Sequence, residues 1–206
     1  MPSPRPPTAT FTAALQRARA QFHPVAEAAG FVRTPKNMWV RQHEHTVEWF
    51  SLFRSSSYRN SVHLRMESGL RVLNSPRTSL TAFGPRSLDA RLVRPDLRLH
   101  MSFNVITDSM YERSVADAGT FFQEILCAWF QPLQDMPTLL ATPVQGEDER
   151  IYPDTAMGPE EMQALVEALA AGPDPERVAM SLKLLGIKPP REKRAAAPRR
   201  KAPPAA

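Results

Sequence analysis

One cysteine stands in the whole chain, Cys127, so no internal disulfide can form and the fold must rest on its own core. The eight glycines are scattered singly. Neither Gly-x-Gly-x-x-Gly nor Gly-x-x-x-x-Gly-Lys-Ser/Thr occurs, which removes the backbone loops that cradle nucleotide phosphates. Gly-x-Ser-x-Gly is missing too, and with it the elbow that presents a nucleophilic serine. No stretch reaches the roughly 18 to 20 apolar residues of a bilayer span; even Phe121 to Phe130 is broken by Gln123 and Glu124. The opening Met1-Pro2-Ser3-Pro4-Arg5-Pro6-Pro7 lacks the apolar run of a secretory signal. These absences lead to the expectation of a cytoplasmic, water-soluble protein that needs no cofactor and does not enter the membrane.

What is present suits one folded body. The 206 residues are 42% hydrophobic, with Trp, Phe, Leu and Val spread through the first 185 or so. The formal net charge of +5 changes meaning once it is divided by segment. Residues 188–206 carry +6, leaving −1 for everything before them. Within that part, residues 1–106 carry +9 and residues 107–187 carry −10, so the body is dipolar along the sequence. From Lys188 onward only Lys, Arg, Glu, Pro and Ala occur. That composition offers nothing to offset the entropy of folding, and a disordered basic tail is expected.

Apolar residues from Thr12 to Ala29 recur at three-four spacing (Leu15, Ala18, Phe22, Val25, Ala26, Ala29), which predicts an amphipathic first helix stopped at Gly30. Pro24 inside it should kink or split it. The period then becomes two around Met38 to Arg41, Val47 to Arg54, Asn60 to Glu67 and Leu99 to Val105, the pattern of antiparallel strands with one apolar and one polar face. The short link Ser55 to Arg59 favours a hairpin. Leu73 to Arg98, broken by Pro76, Gly84, Pro85 and Pro95, reads as a long excursion with a strand at Asp89 to Val93. A capping box at Ser109 and Glu112 opens a long helix that Pro132 should end. A short helix or turn at Pro137 to Ala141, an acidic loop at Gly146 to Arg150 and two helices, Pro159 to Ala171 and Pro175 to Leu185, complete the reading. The expected class is α+β: an antiparallel sheet of four to five strands, an N-terminal helix and a long helix on one face, a C-terminal helical pair and a basic tail. The expected divisions are a disordered N-terminus at 1–10, an α+β domain at 11–141, an acidic loop and helical hairpin at 142–187 packed on it, and the tail at 188–206.

Few side chains suggest chemistry. His43-x-His45 would place two imidazoles on the same side of a strand, the start of a metal site, but a third and fourth ligand are not at defined places and no metal is expected. A sheet-helix crevice around His43, His45, His63 and Glu48 is the weakest of three readings, an enzyme. Cys127 lies on the apolar stripe of the long helix, where cysteine behaves as a small hydrophobe. Ser55-Ser56-Ser57 reads as a polar turn, and Asp108, Glu112, Glu160 and Glu161 fall in first helical turns, where carboxylates suit the helix dipole. Arginine is the suggestive residue: Arg71, Arg77, Arg86, Arg91, Arg94 and Arg98 run along the excursion against Asp89 and Asp96 alone. With Lys193, Arg194, Arg199, Arg200 and Lys201 of the tail they form a candidate surface for a protein partner or a polyanion. The competing account is that the strip meets the chain's own acidic helices.

Gly30-Phe31-Val32-Arg33, Trp39-Val40-Arg41, Val47-Glu48-Trp49-Phe50, Val62-His63-Leu64 and Trp129-Phe130-Gln131-Pro132-Leu133 resemble, in that order, the bacterial domain-of-unknown-function family numbered 4304. The resemblance spans Phe11 to Leu133, although Ser51 to Ser55 stands where the family's glutamine is expected. It implies an α+β fold and brings no established activity, hence no catalytic residue to carry over. The functional expectation is a non-enzymatic interaction module, immunity- or adaptor-like, that binds another protein. The alternative is a nucleic-acid or polyanion binder using the Arg71 to Arg98 strip and the tail.

Overall fold

The computed structural model describes residues 8–58, 60–144 and 155–188. It is α+β, with a five-stranded antiparallel sheet in the order β1-β2-β3-β4-β5, strands adjacent in sequence pairing side by side. The strands are β1 (Val32–Arg33), β2 (Met38–Gln42), β3 (Thr46–Tyr58), β4 (Ser61–Val72) and β5 (Ser102–Asn104). The hairpin β3-β4 is longer than the sequence pattern suggested, because the chain stays extended through the serines at 55–57, with a register shift between Arg54 and Ser56. Tyr58 pairs with Ser61, so the link is tighter than Ser55 to Arg59. The acidic loop and the residues beyond Lys188 lie outside the described residues.

Alternation on β2, β3 and β4 sends Trp39, Phe50, Leu52, Val62, Leu64 and Met66 to one face, where all are almost fully buried. Helix α1 (Thr8–Ala28) lays Phe11, Ala14, Ala18, Phe22 and Ala26 against them. Ala14 rather than Leu15 is buried, so the inward stripe is narrower and smaller than the one expected, which lets the helix approach closely. Pro24 neither splits the helix nor reaches the core; it sits on the exposed side. Beside α1 on the same face runs α3 (Tyr111–Phe121), continued by a π-helical segment, Phe122–Cys127, and by α4 (Ala128–Leu133). Six rings mesh at the centre. Phe50 stacks on Trp39 at 5.3 Å and meets Phe122 at 4.9 Å and Phe31 at 5.1 Å, Phe22 and Phe31 approach it edge-on, and Phe130 meets Phe31 at 5.7 Å. Each buried ring of this size contributes about 2 kcal/mol or more from area alone.

The start of α3 corrects the expected capping box. Met110 precedes it in the left-handed region, φ 67°, and no side chain caps it. Ser109 spends its carbonyl on the Asn104 N–H, closing the turn after β5, and Glu112 accepts from the Gln21 amide of α1 at 2.6 Å instead of reaching back. Helix α4 runs one residue past Pro132.

Covering the sheet on one side alone would leave Val40, Val47 and Trp49 in water, and the molecule does not do so. Those three pack with Leu73, Leu182 and Leu185 under α7 (Pro175–Leu185) on the second face. Helix α6 (Pro159–Ala171) and the short α5 (Met136–Ala141) pack instead beside Leu70 and Val72 on the first face. The last two helices therefore straddle one end of the sheet. Asn74 links them: its amide donates to the Ala164 carbonyl of α6 and its oxygen accepts from the Asp174 N–H at the start of α7.

The excursion after β4 serves as an edge cover. The β4 backbone pairs with β5 from Ser61 to His63; beyond that, Leu64 N–H donates to Met101, Met66 N–H to the Ser87 hydroxyl, and the Ser68 carbonyl accepts from Gly84 N–H. Asp89 to Val93 is helical, not a strand: a 3₁₀ turn, Ser87–Asp89, runs into the four-residue α2 (Ala90–Val93), with Ala90 buried as its anchor. Edge pairing is already supplied by single bonds from Ser87 and Gly84, so the segment has no free ladder to join. Gly69 and Gly84 permit the close crossing. A Cβ at Gly69 would stand 2.7 Å from the Thr81 carbonyl, and one at Gly84 would stand 2.4 Å from the Ser68 hydroxyl. Gly69→Ala should therefore lower stability by about 1 to 3 kcal/mol in a denaturant melt. Gly119→Ala, inside α3 with open space around it, should be neutral or raise it by up to about 1 kcal/mol; equal losses at both positions would refute the crossing.

Candidate functional site

The arginine strip comes apart when its members are placed. Arg71 lies on β4, on the second face, and is 3% exposed. Its Nε donates to the Ser181 hydroxyl of α7, one terminal nitrogen to the Ser79 carbonyl, and the other to the carbonyls of Ser75 and Arg77 at 3.1 and 2.7 Å. Ser181 passes the network on, donating to the Leu73 carbonyl. A planar five-donor fork fits such a ring of carbonyls as no ammonium can. Burial pushes the Arg71 pKa below its ordinary value, and the nearby Glu161 carboxylate opposes that shift. Arg71 thus faces inward, and its donors are spent on the protein itself.

Arg77 turns to α6, its Nε 2.9 Å from carboxylate oxygens of both Glu160 and Glu161. Arg86 pairs with Asp89 at 2.7 Å, and Arg94 with Asp96 at 2.9 Å and with Glu124 of the π-helical segment at 3.4 Å. Elsewhere Arg17 of α1 pairs with Asp108 and holds that carboxyl below the usual carboxylate range. The basic first half and acidic second half of the sequence are thereby folded against each other. Each half-exposed pair is worth at most about 1 kcal/mol, but together they occupy Arg77, Arg86 and Arg94. Arg91 and Arg98 remain: both are exposed, and neither makes an ion pair among the described residues. Lys193, Arg194, Arg199, Arg200 and Lys201 lie outside the described residues.

His43 and His45 do not share a strand. The His43 N–H donates to the Thr46 carbonyl, closing a turn between β2 and β3, so the side-by-side placement that alternation would give is lost. His43 Nε2 comes within 3.1 Å of Glu48 Oε1 without an aligned hydrogen bond, while His45 Nε2 is 3.7 Å from exposed Glu44. Glu48 is wholly buried on β3, and its charge is met by Arg41 of β2 at 2.6 Å; Arg41 also donates to the Ala29 carbonyl after α1 and lies over the Phe31 ring. That cluster ties α1 to the sheet. His63 stands seven residues from the Glu48 position along β4, about 23 Å away at ~3.3 Å per residue, so the crevice that would gather His43, His45, His63 and Glu48 is not formed. No group of three or more His, Cys, Asp or Glu among the described residues is placed to hold a metal ion.

Two apolar residues were hidden by reading 89–93 as a strand. Leu88 and Leu92 are 63% and 77% exposed, four residues apart on the 3₁₀ turn and α2, with Val93 beside them. Alternation would have put them on the same side as buried Ala90; helical spacing puts them on the outer side. The spacing Leu88-x-x-x-Leu92 after Ser87 was the legible sign.

Cys127 closes the π-helical segment half-buried, near Arg41 and Glu48. Burial pushes its thiol up, Arg41 pulls it partly back and Glu48 adds to the rise. Less thiolate at neutral pH means a slower nucleophile. Alkylation by iodoacetamide at pH 8 should run at least several-fold slower than for a free cysteine and recover in denaturant; a native rate equal to the free one would contradict this environment. No helix among the described residues is long and apolar enough to cross a membrane. Compared with protein-family models, with curated proteins and with solved structures, the chain matches none.

Proposed function

We propose that this chain is a non-enzymatic module that recognises another protein, in the manner of an adaptor or immunity protein. One observation carries the reading: four of the strip's six arginines are taken up internally, Arg71 by burial and Arg77, Arg86 and Arg94 by ion pairs, while large apolar side chains stand exposed in the same segment. A phosphate-reading surface needs the opposite, free cations with few apolar neighbours.

Polyanion binding is the second reading, favoured by the +6 charge of residues 188–206. The two separate by chromatography. On duplex DNA at about 50 mM salt, a chain ending at residue 187 should pass unretained, and any retention of the full chain should vanish with the tail. Strong retention of the shortened chain, weakened by Arg91→Glu with Arg98→Glu, would reverse the order of the two readings.

A further inference from the structure

We propose that residues 87–98 form the docking surface, and that its occupant is an acidic amphipathic helix of a partner protein. This deepens the interaction reading and rests on it. The segment is built as a fixed platform. Ser87 accepts from the Met66 N–H of β4, Ala90 is 4% exposed in the main core, and Arg94 N–H returns to the Ala90 carbonyl. On that platform Leu88, Leu92 and Val93 are 63%, 77% and 36% exposed, so their apolar area is held in water at a fixed spacing of one helical turn. A facing helix with leucines at the same spacing would seat its ridge between them.

Charge decides the partner's polar flank. Between Arg86 and Arg98 there are four arginines and two aspartates; Arg86 holds Asp89 and Arg94 holds Asp96, which leaves Arg91, on α2 next to Leu92, and Arg98, at the end of the segment, without an ion pair among the described residues. Carboxylates flanking the leucine stripe would meet them, and a basic helix would be repelled. Nucleic acid fits less well, since two arginines would bind phosphates while Leu88 and Leu92 stayed in water. A membrane fits less well because a seven-residue helical stretch presents three apolar residues, far short of an interfacial anchor.

The test uses the full chain and defined probes: a synthetic helix of about five turns with a leucine stripe flanked by glutamates, the same helix with lysines, vesicles with an anionic lipid, and short duplex DNA. Amide chemical shifts locate each contact, and affinity is read by anisotropy. The glutamate helix should bind and shift residues 87–98. Leu88→Glu with Leu92→Glu should weaken it at least tenfold, with an unchanged thermal melt because both residues are exposed. Arg91→Glu with Arg98→Glu should weaken the glutamate helix and admit the lysine one. Shifts centred on Val166 and Leu169, the exposed apolar pair of α6, would overturn this surface yet leave the interaction reading standing. Failure of the glutamate helix to bind overturns the proposal. Binding of DNA or vesicles through Arg91 and Arg98, indifferent to the leucine changes, would overturn both.

Discussion

A single buried guanidinium organises the C-terminal half of this molecule. Arg71 leaves water on a central strand, and an ion in the interior costs several kcal/mol unless its donors are answered. They are answered by the carbonyls of Ser75, Arg77 and Ser79 and by the Ser181 hydroxyl. The loop after β4 must therefore curl back over the strand that produced it, and α7 must lie close enough to offer a serine. Once the loop is turned there, Gly69 and Gly84 let it cross the β4 edge, and Ser87 delivers the chain to the place where α2 begins. The exposed leucines are displayed at the far end of that path.

Charge is handled in two ways along the chain. Two buried charges meet close partners, Arg71 its ring of carbonyls and Glu48 the Arg41 guanidinium. Surface arginines pair either with a carboxylate nearby in sequence, as Arg86 does with Asp89, or with one of the acidic half, which brings α1 to the start of α3 through Arg17 and Asp108 and α6 to the excursion through Arg77. Among the described residues Arg91 makes no ion pair, and it stands next to exposed Leu92 on α2. Coincidence of the two at one fixed element is the observation on which the proposed recognition of a protein rests.

The strands and long helices were legible because their period is dictated by one buried face; Val62, Leu64 and Met66, or Phe22 and Ala26, declare themselves. The second face was harder. Val40, Val47 and Trp49 alternate with residues that are also buried, and nothing local says that α7 will cover them. The extension of β3 through its serines reflects pairing with β4 and not their own preference. The capping box failed because Gln21, ninety-one residues away, claims Glu112. The arginines showed their number and not their partners, since Arg71's lie up to 110 residues ahead. What the short helix displays was lost with the choice of period at Asp89 to Val93, a stretch too brief for hydrophobic pattern to decide.

The dependence of the displayed surface on Arg71 can be measured directly by residue-resolved amide hydrogen exchange on the wild type and on Arg71→Met, which keeps most of the side-chain length and removes the donors. The account predicts that protection falls from Ser75 through Val93 and along α7 while β2, β3 and the α1 face of the core keep theirs. Unchanged protection in the 75–93 segment, with losses spread evenly over the sheet instead, would contradict it.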